Sequence, residues 1–202
     1  MPIRSVFVAN RGEISIRISR AAADLGIRSV AVFSSDDSES LHTRVADDAV
    51  PLEGRGVSAY LDIPSIVRAA KTAGCDAIHP GYGFLAENPD LARACAETDL
   101  TFVGPGIDNL ELFGDKARAR EIAAAAGVPV LRGSKGPVTL EEAAEFLDSL
   151  GHGGAVMVKA VAGGGGRGTR VVPNADELEP TYERCRSEAQ RAFGNGALYV
   201  EE

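Results

Sequence analysis

Continuous apolar runs alternate along the chain with stretches whose apolar positions recur every three or four residues. The run over 5–9, Ser-Val-Phe-Val-Ala, has the character of a strand buried on both faces. Asn10-Arg-Gly12 then makes a turn. Ile14, Ile18, Ala21, Ala22 and Leu25 fall on one face of a helix over 13–25, which Gly26 closes. A strand over 29–33 follows at once, so the opening is a strand–helix–strand unit with parallel strands and a right-handed crossover. The polar run 34–40 reads as a loop, 42–46 as helical, 49–52 as a short strand and 54–58 as a glycine-containing loop. Asp62 caps a helix over 63–73, with Pro64 tolerated in its first turn. A strand over 76–79 ends in Pro80-Gly-Tyr-Gly-Phe84, a helix covers 89–97, and a strand over 100–103 closes at Gly104-Pro-Gly106. Strands alternating with helices predict a doubly wound α/β domain. Its ligands would lie beyond the carboxyl ends of the strands, where the Asn10 and Pro80 turns fall.

The pattern changes after Gly114, which separates helices over 109–113 and 115–126. Gly127-Val-Pro129 and Gly133-Ser-Lys-Gly-Pro137 mark a boundary. Beyond it come a helix over 140–150, strands over 156–160 and 169–172, a helix over 175–193 capped by Asn174, and a strand over 198–202. Helix, two strands, helix, strand describes a small α+β lid rather than more doubly wound sheet. The expected organisation is therefore an N-terminal domain over 1–114, a helical linker over 115–134 and a lid over 135–202. The closing strand is read as unpaired. A chain that stops on a strand, with neither a glycine cap nor a polar tail, is expected to be a fragment.

Composition narrows the function classes. In 202 residues, 45% apolar and 25% charged, there is material for one large domain or two small ones with a real core. The net charge of -8 and the lack of a basic stripe disfavour a nucleic-acid partner. No apolar stretch is long enough to span a bilayer, and the start carries no signal-peptide pattern. Cys75, Cys95 and Cys185 are isolated and odd in number, which suggests a reducing, cytoplasmic setting.

The chemistry concentrates in Val158-Lys-Ala-Val-Ala-Gly-Gly-Gly-Gly-Arg-Gly168. Glycines let backbone N–H groups line one concavity, and Lys159 and Arg167 place positive charge beside it, a surface that suits a polyphosphate. The run meets G-x-G-x-x-G trivially, but a strand rather than a helix follows it, so it is no dinucleotide fingerprint. Lys159 precedes the glycines, so it is no Walker loop either. A β-hairpin flap over phosphates remains, beside the alternative of a ligand-free glycine hairpin. His42, His79 and His152 have no metal-ligand spacing. Glu141, Glu142 and Glu145 crowd one helix start and are read as partners of the helix dipole rather than as metal ligands. Asp36 and Asp37 stand where a dinucleotide fold might hold a ribose, a reading set aside because the first turn has a single glycine.

Five pieces in register resemble the biotin carboxylase component of biotin-dependent carboxylases, in the ATP-grasp superfamily. They are Ala9-Asn-Arg-Gly-Glu-Ile14, His79-Pro-Gly-Tyr-Gly-Phe-Leu-Ala-Glu-Asn88, Phe102-Val-Gly-Pro105, Gly114-Asp-Lys116 and the glycine stretch, and the resemblance spans the chain. It implies a Rossmann-like pre-ATP-grasp domain followed by an ATP-grasp lid, with a third domain lying beyond Glu202. It implies that Lys116 and Lys159 contact ATP phosphates, and that Gly164, Gly165 and Gly166 form the flap over them. Glu201 would lie on the strand reading the adenine edge, and Tyr82 and Gly83 would line the biotin side. Arg20 and Asp24 fall where members pair their N-terminal domains into homodimers. Two positions depart from the pattern: Ala162 replaces a glycine of some members, and Glu202 a basic residue of many.

The implied reaction is ATP-dependent activation of bicarbonate as carboxyphosphate, followed by carboxylation of biotin on a carrier. Its partners would be a biotin carboxyl carrier domain and a carboxyltransferase, and its acceptor an acyl-CoA, as in fatty acid metabolism, or pyruvate or urea. The Mg²⁺ ligands and catalytic residues would lie outside these residues, so the chain alone would turn nothing over. Two alternatives stay open: a carbamoyl-phosphate synthase large chain, and a nucleotide-binding module without turnover.

Overall fold

The computed structural model describes residues 2–161 and 168–202, apart from the side chains of Lys116, Ala117 and Phe193. It divides into two compact units, Met1–Gly114 and Asp115–Glu202. Residues 115–134, expected to form a linker, belong to the second unit.

In the first unit the elements run β1 (Ser5–Val8), α1 (Gly12–Asp24), β2 (Arg28–Phe33), α2 (His42–Val45), β3 (Asp48–Pro51), α3 (Gly56–Ala59), α4 (Ile63–Thr72), β4 (Ala77–His79), α5 (Pro89–Glu97), β5 (Thr101–Phe102) and α6 (Ile107–Gly114). The strands form one parallel sheet in the order β3-β2-β1-β4-β5. Alternation along β1 divides the core. Val6 and Val8 pack with Ile18 and Ala22 of α1, whereas Phe7 and Ala9 pack on the other side with Val30, Ile66, Ile78 and Leu91. Helices thus cover both faces, and the continuous apolar run over 5–9 has its explanation.

The second unit runs α7 (Lys116–Ala125), α8 (Leu140–Ser149), β6 (Val156–Ala160), β7 (Thr169–Val172), a 3₁₀ turn (Ala175–Glu177), α9 (Leu178–Phe193) and β8 (Leu198–Glu201). Its sheet is antiparallel, with β6 between β7 and β8. Thr139 and Glu142 close a capping box at the start of α8, so Glu142 is engaged with backbone. Val156, Val158, Ala160, Leu198 and Val200 form the core with Leu178, Tyr182 and Cys185 of α9.

Four expectations need correction. The stretch 54–58 is not all loop: Gly56, at φ +62°, opens the one-turn helix α3, and its N–H donates to Asp36 Oδ1 at 2.8 Å. Gly114 ends α6 rather than standing between two helices. Asn174 caps a 3₁₀ turn, and the α-helix starts at Leu178. The closing strand is not unpaired. β8 is bonded to β6 along one edge, and the other edge meets 132–138 through Ser134 N to Val200 O (2.9 Å), Val138 N to Leu198 O (2.8 Å) and Glu202 N to Arg132 O (2.9 Å).

Candidate functional site

The second unit presents a charged cluster on the sheet face turned away from α9. Val156, Val158 and Ala160 point into the core, which leaves Met157 and Lys159 on the opposite face. On β8 the same alternation puts Tyr199 and Glu201 beside them, with Lys159 opposite Tyr199 and Met157 opposite Glu201. Lys159 and Glu201 are therefore diagonal neighbours, close enough for a long side chain to bridge. The Lys159 ammonium is paired with Glu201 Oε2, and it lies 6.0 Å from the centroid of the Tyr199 ring. The other carboxylate oxygen, Oε1, accepts from Arg120 of α7 at 2.8 Å, and Arg120 also donates to the Leu131 carbonyl. A Cβ on Gly133 would come within 2.8 Å of that guanidinium and 2.9 Å of the Val200 carbonyl, so glycine there makes room for the arginine. Burial alone would raise the Glu201 pKa, but Lys159 and Arg120 outweigh it and hold the carboxyl below its ordinary value. Burial, with help from Glu201, pushes the Tyr199 phenol up to about 12.

Lys116 stands at the first position of α7, and its side chain lies outside what is described. Gly164, Gly165 and Gly166, with Arg167, also lie outside the described residues. Arg120, four residues after Lys116, has no counterpart in the sequence reading. The i,i+4 spacing of two cations on one helix was the available signal.

A second cluster lies in the first unit, beyond the carboxyl ends of β1 and β4. Asn10 is 3% exposed, and its Nδ2 donates to the carbonyls of Pro80 (2.7 Å) and Tyr82 (2.9 Å). Gly81 has φ +70°, and a Cβ there would approach Asn10 Nδ2 to 2.8 Å, so the turn requires glycine at this point. The Gly81 N–H donates to His79 Nδ1 at 3.0 Å, and burial lowers the His79 pKa. The Tyr82 side chain is 63% exposed, and its hydroxyl donates to the Glu13 carboxylate. Gly83, at φ +67°, completes the turn.

Asp37, set aside as a ribose ligand, is 5% exposed and pairs with Arg11. It also accepts from the hydroxyls of Tyr60 (2.8 Å) and Ser40 (3.1 Å). Burial pushes its pKa up, yet these donors, Arg11 first, hold it below the ordinary value. Arg20 and Asp24 are both exposed on α1, with no ion pair between them among the described residues. Also among the described residues, no group of three or more His, Cys, Asp or Glu could hold a metal ion, and no helix is long and apolar enough to cross a membrane.

A parallel α/β unit followed by a small antiparallel α+β unit places the chain in the class of α/β proteins represented by solved biotin carboxylase domains. The biotin carboxylase domain dimer of the Hydrogenobacter thermophilus 2-oxoglutarate carboxylase, in complex with MgADP, ADP and bicarbonate, is similar over 100% of this chain and 44% of its own, at TM-score 0.94 and 44% identity. The Campylobacter jejuni biotin carboxylase–β,γ-ATP complex gives 0.93 and 40%, over 100% and 45%. Residues 2–110 match the N-terminal domain of biotin carboxylase, and 115–202 match the ATP-binding domain of the carbamoyl-phosphate synthase L chain. The chain belongs to the biotin carboxylase family. Mitochondrial pyruvate carboxylase of Rattus norvegicus is 52% identical over 204 residues, covering 99% of this chain, which spans 17% of that enzyme's length.

Proposed function

We propose that this chain supplies the N-terminal part of an ATP-dependent biotin carboxylase, which activates bicarbonate as carboxyphosphate and carboxylates biotin on a carrier domain. The observation that carries this reading is the order of the two family regions, biotin carboxylase N-terminal domain and then ATP-binding domain, on one chain. The second region alone would also suit a carbamoyl-phosphate synthase, and the first decides against it. Two of the relatives named above are a pyruvate carboxylase and a 2-oxoglutarate carboxylase, so we favour a 2-oxo acid over an acyl-CoA as final acceptor. The N-terminal domain over 1–114 and the ATP-grasp lid over 135–202 are our reading of the organisation, with 115–134, which groups with the second unit, as the helical segment that links them. A homodimer through the α1 surface bearing Arg20 and Asp24, a carboxyltransferase partner and a cytoplasmic setting complete it.

ATP supplies the phosphoryl group, and the residues present fit its anionic tail. Lys159 is a point charge on a flexible stem beside the glycine run, and Lys116, Gly164, Gly165 and Gly166 join it by resemblance. Glu201 neutralises Lys159, while Arg120 secures Glu201 from its other side. That arrangement holds the ammonium beside Glu201 and Tyr199 on the sheet face away from α9. Glu201 itself is assigned to the strand beside the adenine, and Tyr82 and Gly83 to the biotin side. The resemblance puts the Mg²⁺ ligands beyond Glu202, and among the described residues no group of three or more His, Cys, Asp or Glu could hold a metal ion. Isolated residues 1–202 are therefore proposed to be inactive, on that ground and not on an unpaired final strand.

The test gives the full-length protein free biotin, bicarbonate, Mg²⁺ and ATP and follows ADP release. Biotin-stimulated release supports the assignment. ATP binding without bicarbonate-dependent hydrolysis would instead establish the non-catalytic module. Biotin-dependent turnover by residues 1–202 alone would show the catalytic half to be misplaced.

A further inference from the structure

The turn that carries Tyr82 is fixed twice, by two residues of the opening motif. Asn10 holds its backbone through the carbonyls of Pro80 and Tyr82. Glu13, in the first turn of α1, holds its side chain by accepting the phenol O–H across 69 positions of sequence. The Tyr82 side chain is nonetheless 63% exposed, so packing does little to select one rotamer. The hydrogen bond at the ring's far end is what restricts it. The bond to Glu13, together with the negative charge of its carboxylate, also raises the Tyr82 pKa.

We propose that Glu13 is a positioning residue which, by anchoring the Tyr82 hydroxyl, holds the exposed ring as a preformed platform for the fused ring system of biotin. This rests on the reading of Tyr82 as part of the biotin side. The fused rings of biotin are bent and carry a polar ureido group, so the aromatic surface would meet their C–H faces. That contact gains most when the surface is already ordered, because the ordering cost then falls outside the binding step. Glu13 never touches the ligand in this scheme. Glu13 and the Tyr82 hydroxyl act as one unit, so removing either member should have the effect of removing both.

The test is a double-mutant cycle on the KM for free biotin in the full-length enzyme, with the KM for ATP as reference. Tyr82→Phe keeps the ring and loses the anchor, Glu13→Ala loses the acceptor, and Glu13→Gln retains an acceptor of nearly the same shape. Each of the first two should raise the biotin KM roughly three- to tenfold, and the double variant should be no worse than either single one. Glu13→Gln should recover part of the loss, and the KM for ATP should stay constant across the series. Additive effects in the cycle, or an unchanged biotin KM in both Glu13 variants, would overturn the proposal. Tyr82→Ala separates the two levels. An unchanged biotin KM there removes the reading of Tyr82 and the proposal with it, whereas a raised KM beside inert Glu13 variants removes only the proposal.

Discussion

Arg120→Met tests the charged cluster most directly. Glu201, whose side chain is 9% exposed, divides its two oxygens between Arg120 and Lys159. Methionine replaces much of the arginine stem but removes the 2.8 Å bond to Oε1 and the donation to the Leu131 carbonyl. Losing a hydrogen bond to a charged group costs about 1.5–3 kcal/mol, and severing a fully buried pair costs up to about 5. Arg120 is 20% exposed, so water takes over part of the stranded charge. A net loss of about 2 kcal/mol is expected, equivalent to roughly thirtyfold in the local opening equilibrium. Amide exchange along β6 and β8 in the full-length protein reads this directly. The partner variant Glu201→Gln removes the charge that Arg120 neutralises, so Arg120→Met/Glu201→Gln should cost less than the two single changes together. Acid gives a further check. The folded pKa of Glu201 is lowered, so its contribution is complete above the ordinary carboxylate value and is lost as pH falls through the folded one. Wild type and Arg120→Met should therefore converge in acid. Additive costs at neutral pH, or exchange changed less than about threefold, would refute the account of Glu201 as a shared anchor.

Lys159→Gln in the full-length protein should weaken ATP binding roughly ten- to hundredfold by isothermal titration, since one charge-assisted phosphate contact is worth about 1.5–3 kcal/mol; unchanged affinity would remove it from the phosphate site. Gly81→Ala forces a Cβ to 2.8 Å from Asn10 Nδ2 at φ +70°, so a loss of about 1–3 kcal/mol is expected in denaturant melts, and a neutral result would mean the turn is not latched. Asp37, lowered by Arg11, Tyr60 and Ser40 against its burial, stabilises the first unit above its unfolded pKa and loses that contribution as pH falls below about 4. Stability curves of wild type and Asp37→Asn should therefore draw together in acid, and parallel curves would contradict this.

What the sequence revealed and what it hid follow from the range of the forces involved. The strand over 5–9 and the helix after it were legible because Phe7, Ile18 and Ala22 declare their faces through local periodicity alone. Asp62 acts within three residues of itself, and a cap at such a distance leaves a readable signature. The Thr139–Glu142 box is equally local, yet Glu142 reads in the sequence only as a partner of the helix dipole. The one-turn helix α3 escaped because Gly56 enters it at positive φ and its stabilising partner, Asp36, lies 20 positions earlier. Arg120 escaped for a similar reason: its partner Glu201 is 81 residues away, and nothing in the spacing of either residue points to the other. The partners of β8 were equally invisible, because strand pairing depends on which edge is free once the chain has folded. Glu13 was legible as part of a motif, but its hold on Tyr82 was not.

The position of β6 in its sheet also bears on biosynthesis. The first unit closes at Gly114, so all of its sheet partners can leave the ribosome before the second unit begins. The second unit has no such independence. β6 is the middle strand, and β8, its neighbour on one side, is synthesised after β7 and the whole of α9. At ordinary elongation rates that interval is roughly 2–8 seconds, during which Val156-Met-Val158 shows one unpaired apolar edge. A nascent chain stalled within α9 would therefore be a natural client for a holding chaperone, and one released after β8 would not.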